Sequence, residues 1–92
     1  MGPVAVRFDQ ARMIAQRLER LSADSSWAHV ASGHRGSLLK MIDWLERQAD
    51  MEQVPGSEIE LLDLLIDKGF NLLARAAREI GDPELVRGLR RG

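Results

Sequence analysis

The sequence predicts an all-α fold: a small helical bundle of three main helices, at about 6–21, 26–51 and 57–80, plus a short C-terminal helix at 83–90. Three observations predict it. Apolar residues recur at three-and-four spacing through all three long stretches, no stretch alternates with period two, and Gly and Pro gather where the apolar periodicity stops. The 92 residues make a single domain, 1–92, small for a core that must hold unaided.

The first helix is read over Val6 to Leu21, with Phe8, Ala11, Ile14, Ala15, Leu18 and Leu21 on one face. The run Ser22 to Ser26 then offers N-caps, of which Ser25 or Ser26 starts the second helix just before Trp27. That helix runs to about Met51, and Pro55 and Gly56 punctuate the stretch that closes it. Ser57 followed by Glu60 reads as a capping box opening the third helix, and Gly81 closes it. Asp82 caps the short last helix, with Pro83 in its first turn, where no N–H donor is needed.

A helix turns by about 100° per residue, so faces follow from arithmetic. On the second helix Trp27, Ala31, His34, Leu38, Met41, Ile42 and Leu45 form the core stripe. Beside it lies a strip of Val30, Gly33, Ser37, Trp44 and Met51, small residues next to a tryptophan and a methionine. A glycine inside a helix costs about 0.5–1 kcal/mol against alanine, so Gly33 and Gly36 ask for a reason. Gly33 and Ser37 are read as a place of close helix approach, with a kink as the alternative. Gly36 falls on the polar back and has no reason of this kind. On the third helix the apolar arc covers about half the circumference, more than one neighbouring helix covers, and that favours a second subunit over a self-sufficient monomer.

Charge and composition narrow the function classes. Net charge is −1, and from Asp43 to Asp67 eight acids face the single base Arg47. There is no cysteine, which excludes disulfides, thiolate zinc sites and cysteine catalysis. No apolar run reaches membrane-spanning length and no secretory pattern is present, so a soluble, cytoplasmic protein without a membrane role is expected. His29 and His34, five apart, point about 140° away from each other and cannot share a metal from one helix face. The acid ladders Asp43/Glu46/Asp50 and Glu60/Asp63/Asp67 invite a divalent cation but read as solvated faces. No histidine–acid pairing activates a serine, so no catalytic residue, cofactor site or metal site is assigned and no enzyme is expected.

The expectation is a non-enzymatic helical interaction module or adaptor, a homodimer or a subunit docked on another protein. The residues expected to carry the interface are Gly33, Ser37, Trp44 and Met51 with Leu61, Leu65 and Leu72. The alternative is a nucleic-acid-associated subunit or DNA-binding regulator whose basic tail, Arg87, Arg90 and Arg91, contacts phosphates. Direct nucleic-acid binding is disfavoured by a pI near 6.1.

Overall fold

In a computed structural model, which describes residues 3–24, 26–48, 53–81 and 83–89, three helices pack on one another: α1 Pro3–Asp24, α2 Ala28–Glu46 and α3 Gly56–Ile80. Each touches the other two, and no strand occurs among the described residues. At a rise of 1.5 Å per residue α3 is about 38 Å long, so it alone sets the 40 Å long dimension of the molecule.

α1 starts earlier than its periodicity predicts. Proline suits a first helical turn because its missing N–H has no partner to lose there, and Val4 extends the apolar stripe. Val4, Phe8, Ala11, Ile14, Ala15, Leu18 and Leu21 are all buried. Arg12 stacks over the ring of Phe8 at 5.5 Å from its centroid.

α2 starts and stops for tertiary reasons. Its N-cap is Trp27, with no side-chain cap; Ser25 lies outside the described residues. The Trp27 indole N–H instead donates to the Glu79 carboxylate near the end of α3. The helix ends at Glu46, short of the expected Met51, which itself lies outside the described residues. Its last turn tightens, with the Arg47 N–H donating to the Trp44 carbonyl at 3.2 Å. The Gln48 side-chain amide caps the same carbonyl at 3.0 Å. The free carbonyls at the end of a helix are satisfied in this way without a glycine. Helix α2 is continuous through Gly33 and Gly36.

The capping box at Ser57 and Glu60 does not form. Pro55 is the N-cap, its ψ of 146° extended, and no side chain caps the helix. Its carbonyl accepts from the N–H groups of Glu58 and Ile59 at 3.0 and 3.2 Å, so Ser57 already lies within the first turn. Val54 is buried and Ile59 packs against the core, the pair of positions that a hydrophobic staple uses to fix the entry of a helix. Gly81 ends α3 in the left-handed region, φ 78°, with its N–H on the Ala77 carbonyl at 2.8 Å.

The expected C-terminal helix at 83–90 is reduced to one 3-10 turn, Pro83–Leu85. Two turns hold little helix in isolation, and Gly88 adopts φ 82°, which breaks a right-handed helix. Leu85 is nevertheless buried, so the segment stays on the bundle.

Close helix approach occurs at Gly69 on α3. A Cβ there would lie 2.5 Å from Ile14 Cγ2 on α1 and 3.2 Å from His34 Nε2 on α2. The three helices converge on this one missing side chain. At Gly33 and Gly36, by contrast, an added Cβ would meet no atom within 4 Å.

Candidate functional site

The α2–α3 seam is fixed by two bonds that run antiparallel: Trp27 to Glu79, and His34 to the main chain at Leu65. His34 is half-buried, and its Nε2 donates to the Leu65 carbonyl at 2.7 Å. That nitrogen serves the packing of two helices, which is the structural role for a histidine on a core stripe. Going from this contact toward the end of α2, the rise of a helix places Leu61 about 6 Å and Trp44 about 15 Å away in the same direction.

Trp44 is 36% exposed and Leu61 is 43% exposed. They stand on the flanks of α2 and α3 that border the seam, the sides turned away from the core stripes. Leu65 is half-buried between this flank and the core. Gly33 and Ser37 are exposed on the same side of α2, and the Ser37 hydroxyl turns back to the Gly33 carbonyl at 3.4 Å. Val30, 54% exposed, continues the strip toward the start of α2.

Leu72 does not belong to this surface. It is 8% exposed and packs in the core. Its position lies at the edge of the α3 apolar arc, and the arc turns further toward α2 than the sequence arithmetic allowed. Met51 lies outside the described residues. Leu64, 49% exposed, was missed as a candidate; the signal was present, since it falls outside the half-circumference that the remaining apolar residues of α3 cover.

Several charged groups pair with one another. Arg7 on α1 holds Asp63 on α3, and Arg47 holds Asp43 one turn back on α2 at 3.0 Å. The cleft between α1 and α2 carries Arg12, Arg35, Glu19 and Glu46, two charges of each sign, and Arg35 reaches Glu19 at 3.7 Å. Among the described residues no three His, Asp or Glu side chains group so as to hold a metal ion. In the basic tail, Arg87 pairs with Glu84 at 2.9 Å, while Arg90 and Arg91 lie outside the described residues. Among the described residues no helix is long and apolar enough to cross a membrane.

Compared with known proteins, the chain matches no family model, no curated protein and no solved structure.

Proposed function

We propose that this chain is a non-enzymatic helical interaction module that binds another polypeptide, a second copy or a different protein, through the α2–α3 face at Trp44 and Leu61. The observation that carries the reading is the exposure of a tryptophan and a leucine toward one end of the same seam, beside the small residues Gly33 and Ser37. Tryptophan is enriched among residues that dominate binding energy, and small neighbours allow a second backbone close approach. Each 100 Å² of apolar surface removed from water there contributes about 2.5 kcal/mol before association costs. The proposal includes a cytoplasmic setting, which suits a chain without cysteine.

Sedimentation equilibrium of the purified chain, together with affinity capture from its host, tests the reading. Leu61→Glu is expected to abolish association or capture while the helical circular dichroism and melting temperature hold. If wild type neither self-associates nor captures a protein that Leu61→Glu loses, the reading fails.

A further inference from the structure

The α2–α3 face carries bases as well as apolar side chains. At about 100° per residue, Lys40 lies within about 40° of Trp44 on α2, and Lys68 and Arg75 lie within about 40° of Leu61 on α3. All three bases are exposed, and among the described residues none of them holds an ion pair. Arg47, about 60° from Trp44, is tied to Asp43. The acids of α2, Asp43 and Glu46, lie about 100° or more from the Trp44 direction, as Glu60, Asp63 and Asp67 do from that of Leu61. The acids left on this flank are Glu58 and Glu79, one near each end of α3, and Glu79 takes the Trp27 indole N–H. A chain of net charge −1 thus gathers positive charge along its exposed apolar strip.

From the His34–Leu65 bond, at 1.5 Å per residue, Trp44 lies about 15 Å one way along the seam and Arg75 about 15 Å the other. Between them come Lys40, Leu61, Leu64, Lys68 and Val30, so basic and apolar side chains intermix over about 30 Å, the length of about 20 helical residues. We propose that the partner at this face is an acidic amphipathic helix of a different protein. Its apolar stripe lies on Trp44, Leu61 and Leu64, and its flanking carboxylates meet Lys40, Lys68 and Arg75. The inference rests on the α2–α3 docking reading and selects between that reading's two occupants. A two-fold dimer presents the same patch from both subunits, so a second copy would set these three bases against three more. Like charges facing each other reject a partner, whereas complementary charges speed encounter and fix register. The apolar anchors supply the affinity, as in other helices that lie along an apolar groove. Leucines between the bases offer no stacking platform for nucleobases, and Glu58 and Glu79 at the two ends oppose a continuous run of phosphates.

The probe is a fluorescently labelled peptide of about 20 residues, with leucines at three-and-four spacing and glutamates on both flanks of that stripe. It is titrated with the full chain beside a twin that carries glutamine in place of every glutamate. Fluorescence anisotropy at low salt should show the glutamate peptide bound about tenfold tighter, each of three rim pairs contributing a factor of about two. The difference should shrink as salt is raised. Lys40→Gln/Lys68→Gln/Arg75→Gln should bind the two peptides alike with its helical circular dichroism unchanged, since all three side chains are exposed. Leu61→Glu should weaken both peptides. No binding of the glutamate peptide, equal binding of the two peptides to wild type, or a glutamate preference that the triple variant keeps each overturns the acidic partner. So does binding to phosphatidylserine vesicles or single-stranded DNA in place of the peptide. The docking reading is judged apart from this, since it stands if Leu61→Glu still abolishes self-association or capture and falls with the acidic partner if it does not.

Discussion

His34 on α2 donates a hydrogen bond from Nε2 to the main-chain carbonyl of Leu65 on α3, at 2.7 Å. The imidazole reaches that carbonyl because the residue one turn on, Gly69, has no side chain to block it. A helix carbonyl is normally screened by the side chains around it, and here the screen is absent at the crossing point. Histidine and glycine therefore form one joint, with Ile14 of α1 closing its other side.

Gly69→Ala tests the joint directly. Alanine is the better helix former by about 1 kcal/mol, but its Cβ would overlap Ile14 Cγ2, a branch close to the backbone of a side chain that is 1% exposed. Overpacking costs about 1–3 kcal/mol, which against that gain leaves a net loss of up to about 2 kcal/mol in urea melts. In an Ile14→Ala background the same change should cost less. A raised stability in the wild-type background would contradict the close packing.

His34→Ala should lose about 1–2 kcal/mol, from the missing hydrogen bond and the loss of partial burial. His29 is exposed on the opposite side of α2, and His29→Ala should stay within about 0.5 kcal/mol. Equal effects of the two substitutions would show that the Leu65 bond contributes nothing.

Gly33→Ala and Gly36→Ala should each stabilise the chain. Both glycines sit within α2, neither has positive φ, and an added Cβ meets nothing within 4 Å. The expected gain is about 0.5–1 kcal/mol for each, read as a higher melting temperature. Should Gly33→Ala raise stability yet weaken partner capture, the bare backbone at that position is part of the docking face.

Gly81→Ala should cost about 1–2 kcal/mol, because a side chain in the left-handed region meets the following carbonyl. Asn at this position, which tolerates that region better, should lie between glycine and alanine in thermal melts.

The three helices were legible in the sequence because burial on a helix leaves a periodic trace, and the positions of Phe8, Leu18, Leu38, Leu45, Leu62 and Leu73 carry it. Their ends were less legible. Ser57 and Glu60 have the spacing of a capping box, yet Val54 entering the core fixes the chain one turn earlier and leaves Pro55 as the cap. Trp27 starts α2 through a bond to Glu79, 52 residues away, and local patterns contain no record of such a partner. The glycines show the same limit. From sequence, Gly33 and Ser37 beside Trp44 looked like the place of close approach, whereas the tightest approach is at Gly69, one apolar-face residue among many on α3. What distinguishes Gly69 is the pair of side chains opposite it, which belong to two other helices. For the candidate face, Trp44 and Leu61 were legible as flank residues, while Leu72 at the arc's edge required the position of α2 to decide its burial.

The parallel packing of α1 and α3 has a consequence for the order of assembly. Arg7 meets Asp63 and Arg17 meets the segment after α3, pairs separated by 56 and 70 positions along the chain. The α1–α2 hairpin forms from neighbouring sequence, but the remaining flank of α1 finds no cover until the last third of the chain arrives. Contacts of such long sequence separation slow the folding of a helical bundle more than contacts between neighbouring helices do. Gly69, faced by His34 of α2 and by Ile14 of α1, is a position at which both kinds of contact meet.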